Sequence, residues 1–210
     1  MQGRRDSMAI ALRKVSFSYG DRPVLDKVSL RFPEKGVICL FGASGCGKTT
    51  ILRLLAGLEQ PDSGSLEGLE EKSAAVVFQE NRLLPWLSVR DNVAAPLRGS
   101  DAARRADAAL EAVGLGGEGD KRPSQLSGGM KRRAAIARAL AAKADFLLLD
   151  EPFTGLNEEL WKPIAGILRE SYADRLIVLV THNPAEAEAM GASLLRLAEP
   201  PQRGELSVEK

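Results

Sequence analysis

The sequence predicts an α/β fold: a mainly parallel sheet, an N-terminal antiparallel β ribbon and an inserted helical lobe. Three observations carry that prediction. The runs "GVICLF", "AAVVFQ", "DFLLLDEP" and "RLIVLVTH" are short, continuous and apolar, as parallel strands covered on both faces are. A glycine-rich loop separates the first run from an amphipathic helical pattern. A stretch rich in Ala, Arg and Leu, from about residue 80 to 143, interrupts the strands.

Taken in chain order, "IALRKVSFSYG" alternates and ends in glycine, and "VLDKVSLRF" follows the same rule, so the two pair as an antiparallel ribbon. "GVICLF" is a buried strand. After the loop, Ile51, Leu54, Leu55 and Leu58 fall at i, i+3, i+4 and i+7, one buried helix face, with Gly57 and Pro61 near its end. Ser88 and Asp91 resemble a capping box opening a further helix. "DAARRADAALEAVGL" and "SGGMKRRAAIARALAAKAD" read as helices, and the tail "LLRLAEPPQRGELSVEK" as one more strand. The expected organisation is one domain, with a core lobe over about residues 1–79 and 144–210 and a helical lobe over about 80–143.

Composition narrows the function. The chain has 210 residues and a formal charge of +1, without the basic excess that nucleic-acid binders show. Cys39 and Cys46 fit neither a disulfide framework nor a zinc site, so a reducing cytosol is expected. No apolar run reaches the length of a membrane span, and "MQGRRDSMAIALRK" lacks a signal-peptide hydrophobic region. Membrane association would therefore come through a partner.

Chemistry concentrates in two places. Gly42-Ala43-Ser44-Gly45-Cys46-Gly47-Lys48-Thr49 matches G-x-x-x-x-G-K-[ST] between a strand and a helix. Bare N–H groups must curl around phosphate oxygens there, and side chains would block the approach. The helix start adds about half a positive charge. Lys48 is expected to reach the β- and γ-phosphates of a nucleoside triphosphate, and the Thr49 hydroxyl to hold Mg²⁺. Thr50 belongs to the same nucleotide-binding set. Cys46 reads as a small residue at an unconstrained loop position, with an activated thiol as the alternative. The second place is "FLLLDE", where Asp150 and Glu151 follow an apolar strand, the end of a parallel sheet where ligands bind. Asp150 would hold Mg²⁺ through water and Glu151 would orient or deprotonate the attacking water.

With these motifs the chain resembles the ATP-binding subunits of ABC transporters over nearly its whole length. "FSYG" supplies Tyr19, "VVFQE" Gln79, "QLSGGMKRR" the signature Leu126-Ser127-Gly128-Gly129, "TGLN" the D-loop and "VTHN" His182, the only histidine. The resemblance implies a P-loop NTPase (ABC ATPase) core that binds ATP and Mg²⁺. It implies that Tyr19 stacks on adenine, that Gln79 touches Mg²⁺ or the water, and that His182 bonds the γ-phosphate and the water. It also implies a homodimer of head-to-tail subunits, in which Ser127 and Gly129 of one contact the ATP held by Lys48 of the other. The partners implied are a second ATP-binding subunit, transmembrane permease subunits and an extracytoplasmic solute-binding protein, which place the chain on the cytoplasmic face of the membrane. "FQENRLLPWLSVRDNV" is most similar to importers of nitrate, sulfonate and taurine, and Leu83, Leu84, Trp86 and Leu87 are candidates for the permease docking groove. A soluble ABC ATPase outside transport is the alternative. Met130, Asn157 and Asn183 depart from the family's usual Gln, Asp and Asp.

Overall fold

A computed structural model describes residues 9–208; residues 1–8, which hold much of the segment read for a leader, and the last two residues of the tail lie outside the described ones. The strands and helices run β1 (Ala11–Tyr19), β2 (Arg22–Arg31), β3 (Gly36–Phe41), α1 (Lys48–Leu55), β4 (Ser63–Glu67) and β5 (Ala74–Val77). The chain then passes through α2 (Val89–Ala94), α3 (Ala102–Ala112) and α4 (Gly128–Ala142). It closes with β6 (Phe146–Asp150), α5 (Glu158–Ser171), β7 (Leu176–Val180), α6 (Pro184–Ala189), β8 (Ser193–Arg196) and β9 (Gln202–Leu206).

As expected, the apolar runs form a parallel sheet; with β8 as a fifth strand, its order is β5-β6-β7-β3-β8. Side chains alternate across a strand, so this sheet fills two cores. Ile38, Leu40, Phe146, Leu148, Val178 and Val180 face α1 and the ribbon. Cys39, Leu147, Leu149, Ile177 and Leu179 face the opposite way, toward α2, α3, α4 and α5. That two-sided burial is why these strands carry no polar alternation. The β1–β2 ribbon pairs antiparallel as predicted. β4 adds to one side of it and β9, parallel, to the other.

Two expectations need correction. Leu58 does not share the buried face of α1; it is 51% exposed. The helix stops one turn earlier because Gly57 takes a φ of 67°, and Gly57 and Leu58 donate their N–H groups to Leu54 and Arg53 at 3.1 and 2.9 Å, the Schellman ending glycine allows. The tail forms two strands rather than one. β8 completes the parallel sheet, and β9 crosses to the ribbon.

Candidate active site

β3 ends at Phe41 and α1 opens at Lys48, so residues 42–47 turn the chain from strand to helix. Gly45 and Gly47 hold φ values of 80° and 104°, a region that costs any residue with a side chain. Gly42 is needed for room: a β-carbon there would sit 2.7 Å from the Leu197 carbonyl oxygen and 2.9 Å from Cys46 Sγ. The Lys48 ammonium folds over the loop and donates to the carbonyl oxygens of Gly42 and Ala43, at 2.8 Å each. α1 has no acidic residue in its first turn, so nothing on the helix offsets the positive end of its dipole.

This corner opens a cavity of about 470 Å³. Tyr19, Ser44, Lys48, Thr49, Thr50, Gln79, Asp150, Glu151, His182 and the glycines of the loop line it. Asp150, at the end of β6, is nearly buried. Burial pushes its carboxyl above the usual range, while Thr49 Oγ1, donating at 3.4 Å, pulls it back. Glu151 has a φ of 47°, a left-handed backbone that costs roughly 1–2 kcal/mol. That turn aims its carboxylate over the cavity. Its N–H donates to the Val180 carbonyl at 2.9 Å, Thr154 Oγ1 donates to Oε2 at 3.3 Å, and His182 Nδ1 lies 3.4 Å from Oε1. His182 leaves the end of β7 beside a buried clamp. Thr181 Oγ1 donates to Glu186 Oε2 at 2.5 Å and accepts from the Asn183 N–H at 3.1 Å.

Other residues singled out in the sequence fall elsewhere. Ser127, Gly128 and Gly129 open α4 and do not line the cavity. Ser127 Oγ accepts from the Met130 N–H at 3.2 Å, capping that helix. Ala43 contributes its carbonyl to Lys48 and no wall. The Cys46 thiol is buried beneath the loop in the core under β3. Its N–H is held by the Ala43 carbonyl at 3.3 Å, and its carbonyl accepts from Gln202 Nε2 at 3.0 Å. Cys46 therefore packs under the nucleotide loop and does not face the cavity. Asn157 and Asn183 cap α5 and α6 through their Oδ1 atoms, so each keeps the capping job of an aspartate without its charge. Arg22, Thr154, Thr181 and Glu186 went unnoticed in the sequence. Arg22 lines the cavity opposite Tyr19 in the ribbon, and only register places it there.

A glycine cradle on a helix start, a lysine over it and acids at the end of a neighbouring parallel strand define a phosphate-loop nucleoside triphosphatase. The ABC transporter family model matches residues 25–154, and the chain belongs to that family, as an ATP-binding, ATP-hydrolysing subunit. It is 42% identical over 198 residues to the aliphatic sulfonates import ATP-binding protein SsuB 1 of Paracoccus denitrificans (strain Pd 1222), covering 93% of this chain and 82% of that protein. It is 44% identical over 197 residues to the protein of that name from Mesorhizobium japonicum (strain LMG 29417 / CECT 9101 / MAFF 303099), covering 89% and 73%. Among solved structures, the post-hydrolysis dimer of the ATP-binding cassette MJ0796 bound to ADP and Pi superposes with a TM-score of 0.82 at 27% identity, over 96% of this chain and 98% of that one. The α/β fold and the family expected from the motifs are thereby borne out.

Proposed function

We propose that this chain energises the import of aliphatic sulfonates, working as a pair of copies beneath transmembrane permease subunits on the cytoplasmic face, with an extracytoplasmic solute-binding protein delivering the substrate. The single observation behind the substrate is the identity of 40–44% with sulfonate-import ATP-binding proteins across most of the chain.

In this reading the N–H groups of the Gly42–Thr50 segment and Lys48 hold the β- and γ-phosphates, and Tyr19 stacks on adenine. Lys48 bonds two carbonyls in the loop, which hold its ammonium over the cradle where the phosphates would sit. Among the described residues no group of three or more His, Cys, Asp or Glu could hold a metal. Thr49, Asp150 and Gln79 instead suit Mg²⁺ bound largely by the nucleotide phosphates and water. When bound, Mg²⁺ neutralises charge on the transferred phosphoryl group. Glu151 takes the proton of the attacking water, His182 holds the carboxylate and the γ-phosphate in line, and Gln79 orients the water. Ser127, Gly128 and Gly129 supply a second anion-binding helix start, to the nucleotide of the partner subunit.

The test is Glu151→Gln. ATP binding should survive within about twofold, and turnover should fall at least a hundredfold, the loss expected of a general base. Normal turnover would remove Glu151 from the mechanism. For the substrate, the chain reconstituted with its permease should drive ATP-dependent uptake of an alkanesulfonate into vesicles; a stable soluble complex without a membrane subunit would overturn that assignment.

A further inference from the structure

Arg132 is 3% exposed, on the second turn of α4, and its charge is not bonded to any carboxylate oxygen among the described residues. Its guanidinium instead meets five backbone carbonyls. Nε donates to Pro152 at 2.7 Å, Nη1 to Phe78 and, at 3.2 Å, to Gln79, and Nη2 to Glu151 and, at 2.9 Å, to Asp150. All five lie beyond or at the ends of β5 and β6. The β5–β6 ladder stops at Val77 and Leu149, and Arg132 takes over where the ladder stops.

We infer that Arg132 is a positioning residue for hydrolysis, fixing Glu151 and Gln79 through their main-chain carbonyls; this rests on the reading of Glu151 as the base. Glu151 needs such a hold because its left-handed φ of 47° is not self-sustaining. Val180 fixes its N–H side and Arg132 its carbonyl side, so the direction of its carboxylate is determined twice. Gln79 is anchored the same way, leaving its side chain at the cavity wall. Only a planar fork reaches both strand ends at once; an ammonium of the same charge cannot. Burial lowers the Arg132 pKa to about 10, which leaves the group charged at neutral pH.

The experiment compares Arg132→Met and Arg132→Lys with the unaltered full chain, measuring kcat, KM and the ATP dissociation constant well below each unfolding midpoint. In Arg132→Met, kcat should fall about tenfold to a hundredfold, the range a displacement near 1 Å produces, with ATP affinity held within about twofold because the phosphate loop is untouched. Arg132→Lys should fold and give an intermediate kcat at unchanged affinity. Should Arg132→Met fail to fold, Arg132→Lys decides alone. Wild-type kcat in either folded variant, or kcat and affinity falling together, would overturn the inference. Glu151→Gln run alongside separates the two ideas: if it hydrolyses normally the base assignment fails, whatever Arg132 does.

Discussion

Gly42 and Asp150 show how single residues trade stability for a binding site. Gly42 leaves no space for a methyl group between the Leu197 carbonyl and Cys46 Sγ. Gly42→Ala should therefore destabilise the chain by roughly 1–3 kcal/mol, the usual penalty of overpacking, and weaken ATP binding as the loop shifts. Urea unfolding and nucleotide titration check both effects; an unchanged midpoint would mean that the loop yields more freely than its contacts suggest. Asp150 works in the opposite sense. Its carboxyl is raised mainly by burial, so the folded chain holds that proton more tightly than the unfolded chain does. The contribution favours folding at low pH and is lost as pH rises through the raised value. At neutral pH the ionised carboxylate is a cost, offset in the proposed mechanism by the Mg²⁺ it would hold. Asp150→Asn, which keeps an oxygen for Thr49 to bond, should leave the unfolding midpoint without nucleotide unchanged or higher, while Mg²⁺-dependent hydrolysis falls a hundredfold or more. A lowered midpoint at pH 7 would show that the attraction of the ionised carboxylate to Arg132 and Lys48 outweighs the burial.

At the scale of elements, α2 illustrates support that no motif announces. Asn92 is fully buried. Its Oδ1 accepts from the Leu84 N–H at 2.6 Å, and Nδ2 donates to the carbonyls of Leu84 at 3.0 Å and Ser88 at 2.9 Å. This one amide shapes the loop that presents Trp86, 66% exposed, and Leu84, where the sequence pointed to a permease groove; Leu83 instead packs against the core. Asn92→Ala should cost about 1–3 kcal/mol through stranded backbone groups. It should also speed proteolysis near Trp86 and reduce copurification with the permease, with hydrolysis by the isolated chain little changed. Loss of hydrolysis in step with permease binding would place Asn92 elsewhere in the mechanism. The contrast with the strands explains what was legible. β3, β6 and β7 are apolar on both faces, and the phosphate loop is contiguous, so pattern alone located them. α5 buries Trp161, Ile164, Ala165 and Leu168 in a helical stripe, yet Pro163 lies inside it and argues locally for a break. The β2–β9 pairing joins distant segments, which no local period encodes, while Arg22, Thr154 and Asn92 act through hairpin and turn contacts with residues nearby in the chain, which no helix or strand period marks.

At the scale of the whole molecule, the starts of α1 and α4, both proposed to bind phosphate, do not open onto one cavity. α1 opens onto the cavity, whereas α4 opens at Ser127, which forms no part of the cavity wall. A nucleotide held by Lys48 thus leaves the α4 start of the same chain unused, and a second copy turned head to tail can use both. The net charge of +1 sets up little repulsion between copies, so in the proposed pair the triphosphate charge, shared by two helix starts, is the main electrostatic term favouring closure. Hydrolysis removes it, which makes the pair a ligand-biased switch. Blocking turnover and then deleting one half of the shared site separates binding from closure. Glu151→Gln with Mg²⁺ and ATP should elute from gel filtration as a dimer, and as a monomer when ADP replaces ATP. Adding Ser127→Ala to Glu151→Gln should return the ATP-bound chain to the monomer position, with ATP affinity of the monomer within about twofold, if Ser127 touches only the neighbour's nucleotide as proposed. The Ser127 cap on α4 is worth about 1 kcal/mol, so the double variant remains folded for the measurement. A dimer as stable as that of Glu151→Gln alone would mean that the junction is made by other surfaces and that Ser127 does not read the nucleotide across it.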